Sequence, residues 1–393
     1  MNTITAPLGE ISQQIRGVTY SKADAKLVAA DGYEMLLRAN NITDDGIVFD
    51  DVVHVPAAKV NRKQILQEHD VVIAASSGSL KVVGKSSSFR GGPRVTFGAF
   101  CKAIRPDMSK VDPRYFSHAF RTIEYRRHVE RRAAGANINN LRNEDINEYE
   151  IPLPPLEEQR RIAGILDAAD AMRRRRREAL ALLDTLPGAI FAEMFGDPTL
   201  NPRQLDTLPL GEFVVLERGK SKHRPRNDPQ LIGGPHPLVQ TGDVANAEGY
   251  IERASSSYSD FGLKQSRKWP AGTLCITIAA NIADGAILTF PACFPDSVVG
   301  CTVREPHHAE FIRVWLMSVK GRIEKVAPAV AQKNINLKIL GAVPIIIPPE
   351  QEIQEFTSIM QQLRQDRERA VRQLNELENL FASLQSRAFA GEL

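Results

Sequence analysis

The sequence contains two copies of one long unit, so the chain should fold into two related domains. The start of each copy carries the same pattern at the same spacing: Leu8, Gly9, Glu10, Arg16 and Gly17 in the first, and Leu210, Gly211, Glu212, Arg218 and Gly219 in the second. Further on, the strand-like segment 70–74 corresponds to the segment 273–277. The repeat predicts two globular domains of mixed α/β (α+β) class.

The ends of the two copies match without a gap. A shift of 194 residues superposes Pro154 on Pro348 and Pro155 on Pro349. The same shift pairs the following apolar residues: Ile165 with Ile359, Leu180 with Leu374, Leu183 with Leu377, Leu186 with Leu380, and Phe195 with Phe389. Between these ends the copies have diverged strongly. We therefore predict globular domains over residues 1–155 and 206–349, and constant helical regions over residues 156–205 and 350–393.

Each constant region begins with two prolines and early glutamates, which favour a helix N-terminus through the fixed proline φ and the helix dipole. The helices should begin near Leu156 and Glu350. The first should end near Thr185, because Pro187 interrupts it. The second meets no helix breaker before about Arg387.

Both helical regions carry an apolar stripe with the spacing of a coiled coil. The predicted seam consists of Ile162, Ile165, Ala169, Met172, Leu183 and Leu186 in the first helix, and of Phe356, Ile359, Leu363, Leu377 and Leu380 in the second. Two separate surface helices would explain the stripes less well, since one chain supplies both. We therefore predict that the two helices pair with each other as a coiled coil.

Composition and cysteine usage limit the class of protein. The chain is 43% hydrophobic and 25% charged, and no run reaches the roughly 18 apolar residues of a membrane span. Its first ten residues lack the pattern of a secretory signal, so we expect a cytoplasmic protein without a membrane partner. The cysteines lack a CxxC pair and should be reduced core thiols: Cys101, Cys275, Cys293 and Cys301.

The sequence lacks the machinery of an enzyme that acts on DNA. Five residues separate Gly78 from Gly84, where a nucleotide-binding loop needs four. The double prolines lack the preceding Asn or Asp and the following aromatic residue of an amino-methyltransferase. The adjacent His307 and His308 have no third residue at metal-ligand spacing. We expect no catalytic site, no bound metal and no bound cofactor in this chain.

Basic residues in loops are the candidate DNA contacts, because the net charge of +3 by itself says little. They lie in three clusters: Lys81, Lys85, Arg90 and Arg94; Arg218, Lys220, Lys222, Arg224 and Arg226; and Lys264, Arg267 and Lys268. Uncompensated charges there would bind phosphates, with ordinary solvated loops as the alternative. The arginine run at 173–177 fits either a solvated helix or a contact with phosphates or an acidic partner.

One motif resembles a known family. The residues Ile151, Pro152, Leu153, Pro154, Pro155, Leu156, Glu157, Glu158, Gln159 and Ile162 resemble the start of the conserved helical region in type I restriction-modification specificity subunits. The segment 344–351 resembles its second occurrence, although Glu350 stands where the first copy has Leu156. The openings at Leu8 and Leu210 are similar to the starts of the family's target-recognition domains.

The resemblance implies a non-catalytic subunit. Each target-recognition domain would read one half of a bipartite, asymmetric site on double-stranded DNA. The two helices would form an antiparallel coiled coil that separates the domains and acts as the spacer, with an internal pseudo-twofold repeat. Two modification (methyltransferase) subunits would dock on the chain and bring S-adenosylmethionine. Restriction subunits, when present, would bring ATP-driven and Mg²⁺-dependent translocation and cleavage. The alternative is a coiled-coil scaffold protein that binds no DNA, which salt-dependent DNA binding would distinguish.

Overall fold

The computed structural model describes residues 4–133, 139–226, 228–279, 281–326 and 335–393. The chain divides into two compact units. Unit 1 comprises Met1–Glu178 with Arg372–Leu393, and unit 2 comprises Ala179–Val371. Each unit therefore contains a globular part and a portion of both long helices.

Unit 1 is a mixed α+β unit. Its strands are β1 (Thr5–Pro7), β2 (Ser12–Arg16), β3 (Tyr33–Leu37), β4 (Val53–Pro56), β5 (Val71–Ala74), β6 (Ser76–Ser77), β7 (Ser86–Ser88), β8 (Val95–Phe97), β9 (Cys101–Pro106), β10 (Asn139–Asn140) and β11 (Glu150–Pro152). Its helices are α1 (Leu8–Ile11), α2 (Pro113–Ala119), α3 (Ile123–Ala133), α4 (Asn143–Asn147) and the first part of α5 (Leu156–Phe195). Short 3₁₀ turns lie at Lys22–Asp24, Ala39–Asn41, Ala57–Lys59 and Arg62–Gln64.

Unit 2 has a similar inventory. Its strands are β12 (Asp206–Pro209), β13 (Val215–Arg218), β14 (Ile232–Leu238), β15 (Tyr250–Ile251), β16 (Ser256–Tyr258), β17 (Lys268–Trp269), β18 (Leu274–Thr277), β19 (Gly285–Leu288), β20 (Ala292–Cys293), β21 (Val298–Thr302) and β22 (Pro344–Ile347). Its helices are α6 (Leu210–Phe213), α7 (Thr241–Ala245), α8 (Asp260–Lys264), α9 (Pro306–Val326), α10 (Leu337–Gly341) and the first part of α11 (Glu350–Ala390).

The two units share one strand topology, which confirms the internal repeat and the mixed α+β class. The main sheet has the order β2-β9-β5-β7 in unit 1 and contains β13-β21-β18-β19 in unit 2. A second sheet contains β4-β3-β8 in unit 1 and β16-β14-β20 in unit 2, each with one parallel pair, β3 with β8 and β14 with β20. In both units the first strand pairs antiparallel with the last, β1 with β11 and β12 with β22.

The repeated leucine and glycine motifs have a packing explanation. Leu8 and Leu210 are fully buried at the starts of α1 and α6. Their backbone N–H groups donate to the carbonyl oxygens of Tyr149 and Val343, both at 2.9 Å. The repeated spacing therefore places a buried leucine at the start of the first helix in each domain.

The repeated Arg-Gly pair marks a close backbone approach in each unit. A Cβ atom on Gly17 would lie 2.1 Å from the carbonyl oxygen of Gly98. A Cβ atom on Gly219 would lie 2.2 Å from the carbonyl oxygen of Phe294. Both distances are far below van der Waals contact, and because the obstacle is backbone, it cannot rotate away.

We expect Gly17→Ala and Gly219→Ala each to lower the free energy of unfolding by at least about 1–3 kcal/mol, because the backbone has to move to admit the methyl group. Urea denaturation measures this change. Gly164→Ala is the matched control, because no atom lies within 4 Å of the added Cβ in α5. That variant should gain about 0.5–1 kcal/mol from helix propensity. Equal stability of all three variants would contradict the close-approach explanation.

The first long helix is longer than predicted. The expected end near Thr185 is wrong, because α5 continues through Pro187 to Phe195. Beyond the proline, Phe191 and Phe195 are fully buried in unit 2 and pack on Phe311, with ring centroids 5.6 Å and 5.4 Å away. Burying two aromatic side chains stabilises by about 1.5–3 kcal/mol each, which offsets the roughly 3 kcal/mol cost of an interior proline.

Within unit 1, the two long helices lie antiparallel. The guanidinium of Arg161, near the start of α5, donates to the backbone oxygen of Leu393 at 2.6 Å. Three turns further along α5, Arg173 donates to Glu378 at 2.6 Å. Residues further along α5 thus contact residues further from the end of the chain.

Within unit 2, the remaining parts of the same helices are also antiparallel. Arg367 on α11 donates to Asp184 on α5 at 2.7 Å. Nearer the end of α5, the ring centroid of Phe195 lies 5.5 Å from that of Phe356. The predicted antiparallel pairing is therefore confirmed inside each unit.

The predicted seam is correct only in part. Ile162, Ala169 and Phe356 are buried, and Ile165, Leu183, Leu363 and Leu377 are partly buried. Four members are exposed and were assigned wrongly: Met172 (53%), Leu186 (37%), Ile359 (36%) and Leu380 (48%). The helices pack on the globular part of each unit as well as on each other. The buried stripe is therefore broader, and it contains Ala163, Leu166, Asp170, Arg173, Ile353, Met360 and Phe381.

The four cysteines are free and buried, as predicted for core thiols. Burial raises the pKa of the Cys101 thiol to about 12, which keeps it protonated and unreactive. None of the helices in the described ranges is long and apolar enough to cross a membrane.

Candidate nucleic-acid interface

Two basic loops that are far apart in the sequence meet in unit 2. The side-chain oxygen of Gln265 accepts the backbone N–H groups of Lys222 at 2.6 Å and His223 at 3.1 Å. The hydroxyl of Ser266 donates to the carbonyl oxygen of Lys220 at 2.8 Å. We call the surface formed there the basic surface of unit 2; its members are Arg218, Lys220, Lys222, Arg224, Lys264 and Lys268.

Most of this surface carries uncompensated charge. Arg218, Lys220, Lys222, Lys264 and Lys268 are exposed and form no ion pair with any residue that the structure describes. The guanidinium of Arg224 donates to the carbonyl oxygens of Ser221 and His223, at 2.7 Å and 2.8 Å. These hydrogen bonds leave its charge unneutralised. The surface can therefore attract phosphate groups.

Two of the predicted contacts in unit 2 are engaged within the protein. Arg226 pairs with Asp296 at 2.6 Å. Arg267 pairs with Glu217 at 2.7 Å, and its guanidinium lies 4.0 Å from the ring centroid of Trp269. Arg267 thus supports the loop by packing, and the assumption of free charge is wrong for these two arginines.

In unit 1 most of the predicted cluster is paired with acids. The stretch from Lys81 to Arg94 holds no acid in sequence, but three of its four basic residues pair with distant acids: Lys85 with Asp44 (3.9 Å), Arg90 with Asp170 (3.5 Å) and Arg94 with Glu34 (2.8 Å). Only Lys81 lacks an ion pair among the residues described. The assumption of uncompensated charge is therefore wrong for Arg94. Lys85 has only a 3.9 Å pair, and Arg90 shares Asp170 with three other arginines, so both keep part of their charge. DNA contact by these residues stays a prediction.

The structure indicates a different basic surface in unit 1. The side-chain N–H₂ of Gln64 donates to the carbonyl oxygen of Arg16 at 3.0 Å, which places Arg62 and Lys63 beside the end of β2. Arg16, Arg62 and Lys63 are exposed and have no ion pair within the described ranges. We call these three residues the basic surface of unit 1. The sequence offered one signal for it, since Arg16 and Arg218 precede the repeated glycines.

The arginine run contacts acids of unit 1. Asp170 is 2% exposed and lies 2.5 Å from Arg173, 3.1 Å from Arg121, 3.5 Å from Arg90 and 3.7 Å from Arg174. Burial raises the pKa of this carboxyl, but hydrogen bonds and charges of Arg121 and Arg173 lower it more, so its pKa lies well below the ordinary value. We call these five residues the Asp170 cluster. The sequence does not indicate this cluster, because Arg90 and Arg121 are far from Asp170 along the chain.

The adjacent histidines have a neighbour that the sequence spacing did not indicate. Glu350, the first residue of α11, lies within hydrogen-bond distance of both His307 and His308. Imidazole nitrogens and carboxylate oxygens are the groups that hold transition metals in proteins. This cluster is separate from the basic surface of unit 2, and it shares no residue with it.

The family model described as type I restriction modification DNA specificity domain matches the chain twice, at residues 5–181 and 202–379. The EcoKI specificity subunit of Escherichia coli is 27% identical over 421 residues, covering 99% of this chain and 89% of the relative. The StySPI specificity subunit of Salmonella potsdam is 42% identical over 163 residues, covering 42% of this chain and 35% of the relative.

Solved structures share the fold. A chain of a type I restriction-modification system, solved in work on its complex assembly and conformational transition, has a TM-score of 0.58 at 17% identity. The match covers 99% of this chain and 98% of that one. The specificity subunit of M. genitalium has a TM-score of 0.54 at 15% identity, covering 98% and 96% of the two chains.

Proposed function

This chain belongs to the type I restriction-modification DNA specificity family, and from that premise we propose that it is the subunit that selects the DNA site in such a complex. Each globular unit is a target-recognition domain that reads one half of a bipartite, asymmetric site. The chain itself is not an enzyme. A scaffold that binds no DNA is the alternative, and the two whole-domain matches to the specificity family disfavour it.

One observation carries the proposal. In both units an exposed arginine, Arg16 or Arg218, ends the first strand of the main sheet and stands beside further basic residues without ion pairs in the described chain. The repeat therefore presents a basic surface at the same place in each domain. Such charges supply phosphate affinity that does not depend on sequence.

Sequence reading would come from the residues that differ between the domains. The basic surface of unit 1 includes Arg62 and Lys63 from a 3₁₀ turn, whereas that of unit 2 includes Lys264 and Lys268 from a different segment. Arg, Asn and Gln side chains near such anchors can pair with base edges in the major groove. Two unlike readers on one chain favour an asymmetric site.

The long helices would serve as the spacer and the docking region. Each unit contains an antiparallel pair of helix segments, and exposed apolar side chains project from them: Met172 and Leu380 in unit 1, and Leu182, Leu186 and Ile359 in unit 2. Exposed apolar groups of this kind suit a protein partner. We propose that two modification subunits dock there and set the distance between the half-sites together with the helices.

The chemistry would belong to the partners. Modification subunits would bring S-adenosylmethionine, and restriction subunits, when present, would bring the use of ATP and Mg²⁺. None of these groups is expected to bind this chain. Because a protein of this class has to reach the cell's DNA, we place it in the cytoplasm.

Duplex binding as a function of salt tests the proposal. The full chain should bind a fluorescein-labelled duplex at low salt, and log K should fall linearly with log salt, by about 0.9 per phosphate contacted. Fluorescence anisotropy between 50 and 300 mM KCl (roughly the range in which such contacts weaken) gives the slope. A folded chain that binds no duplex at the lowest salt would instead support the scaffold alternative.

A further inference from the structure

Two helices of unit 2 bring three potential metal ligands together. His307 and His308 follow Pro306 in the first turn of α9, and Glu350 begins α11. The Nε2 atom of His308 lies 3.1 Å from one carboxylate oxygen of Glu350, and the Nε2 atom of His307 contacts the other. A set of ligand atoms, one from each residue, lies within 4.8 Å of one another.

We propose that His307, His308 and Glu350 form a binding site for a divalent transition-metal ion, with Zn²⁺ as the ion that fits the donor set best. Two imidazole nitrogens and one carboxylate oxygen are an established donor set for zinc, with bonds of about 2.0–2.2 Å. In a tetrahedral site such bonds place the ligand atoms roughly 3.3–3.6 Å apart. The two imidazole–carboxylate pairs now at hydrogen-bond distance would therefore open slightly, and any pair farther apart, up to the 4.8 Å limit, would close. The ion would retain open positions for water.

The surroundings hold two of the ligands in place. The ring of His308 packs against Phe213, with centroids 5.0 Å apart, and the side chain is only 9% exposed. The carbonyl oxygen of His307 accepts a hydrogen bond from the hydroxyl of Thr357 at 3.0 Å. Glu350 is 52% exposed, so an ion can enter from its side. Preorganised ligands lose less conformational entropy when they bind.

The carboxylate of Glu350 contacts both imidazole rings. Its Oε1 lies within hydrogen-bond distance of the Nε2 atom of His307, and its Oε2 within hydrogen-bond distance of the Nε2 atom of His308. A divalent ion between the three groups would replace two hydrogen bonds with coordinate bonds, and it would join the first turns of α9 and α11.

The site is specific to the second copy of the repeat. Pro113 and Pro306 begin the helices that follow the main sheet, and the next residues are Arg114 and Tyr115 in the first copy. Leu156 occupies the position of Glu350. All three ligands are therefore replaced in unit 1, which folds with the same topology. The ligands are thus an addition to the shared fold and are not required by it.

Zinc binding to the full, tag-free chain tests the site. Isothermal titration with ZnCl₂ should give one ion per chain, and Zn²⁺ should raise the melting temperature, because an ion that binds only the folded state stabilises it. Glu350→Gln and His307→Gln should each weaken zinc binding at least tenfold and remove the shift in melting temperature. Co²⁺ in place of Zn²⁺ should show visible d–d absorption that both variants lose.

His236→Ala is the matched control. His236 also contacts a carboxylate, that of Asp260 at 2.8 Å, but its cluster has no third ligand in the part of the chain described. This variant should bind zinc like the wild type. If the chain binds no zinc, or if Glu350→Gln and His307→Gln bind it as tightly as His236→Ala while circular dichroism shows them folded, the site is overturned. Because these ligands share no residue with the basic surface of unit 2, Glu350→Gln and His307→Gln should lose zinc binding and keep their duplex affinity, which separates the two proposals.

Discussion

Asp170→Asn should lower the free energy of unfolding by about 3–5 kcal/mol, the usual cost of removing one partner of a buried ion pair. The aspartate is 2% exposed, and Arg173, which it contacts at 2.5 Å, is only 6% exposed. An asparagine would leave that guanidinium buried with Glu378 as its remaining acidic neighbour, at 2.6 Å. Urea denaturation followed by far-UV circular dichroism measures the loss.

The effect should be confined to unit 1. Both tryptophans, Trp269 and Trp315, lie in unit 2. The urea midpoint followed by tryptophan fluorescence therefore reports on that unit, and it should change little. Glu130→Gln is the matched control, because its ion pair with Arg126 is 49% exposed on the glutamate side. Exposed pairs contribute about 0–1 kcal/mol, so that variant should stay close to the wild type. Equal losses in the two variants would contradict a special role for Asp170.

The same carboxyl predicts the pH dependence. Its pKa in the folded protein lies below the unfolded value of about 3.9, so its contribution to stability is fully present above that pH. The contribution is lost as the pH falls toward the folded pKa. The difference in unfolding free energy between wild type and Asp170→Asn should therefore be constant from about pH 8 to pH 5 and shrink below about pH 4.

Replacing Arg218, Lys220, Lys222 and Lys268 by alanine should weaken duplex binding by roughly 10³-fold at 0.1 M salt. Each phosphate contact contributes about 0.9 to the slope of log K against log salt, so four lost contacts reduce the slope by about 3.6. Fluorescence anisotropy over a salt series measures both quantities. The basic surface of unit 1 remains in this variant, so some binding at low salt should persist.

Single substitutions separate free charge from paired charge. Lys222→Ala should weaken binding roughly tenfold at 0.1 M salt, as expected for one phosphate contact. Arg226→Ala should change it much less, because Asp296 already neutralises that arginine at 2.6 Å. Equal effects of the two variants would show that the ion pairs do not decide which residues meet the DNA.

Local signals in the sequence were enough to predict the repeat and the starts of its domains and long helices. The duplicated motifs at Leu8 and Leu210 mark the buried start of the first helix in each domain. The double prolines mark the starts of α5 and α11. These features depend on residues that are close together in the chain. For this reason they could be derived without knowledge of tertiary contacts.

The errors arose where distant residues decide the structure. Pro187 was assigned as a helix end because its cost is local, whereas the burial of Phe191 that offsets it depends on unit 2 as a whole. The predicted seam is displaced from the buried stripe because a heptad pattern accounts only for contacts with the partner helix. The contacts with the globular part of each unit are not included in it. The buried positions of Asp170 and Arg173, which pack within unit 1, could not be read from hydrophobicity.

Charge pairing was the least predictable part of the candidate site. No acid stands near Arg94 in the sequence, which predicts a free charge, yet Glu34 on β3 contacts it. The basic surface of unit 1 was missed for the same reason, since Arg16 and Arg62 come from separate segments that only the fold brings together. Glu350 meets His308 across a separation of 42 residues.

Exchange of one recognition domain tests the central claim most directly. Residues 1–155 would be replaced by the corresponding domain of another family member, and the chimaera would be produced with its modification subunits in a host whose methylated bases are then sequenced. We predict that one half of the methylated site changes while the other half and the spacing stay the same. A methylated site that stays unchanged, or one that changes in both halves, would contradict the assignment of one half-site to each unit.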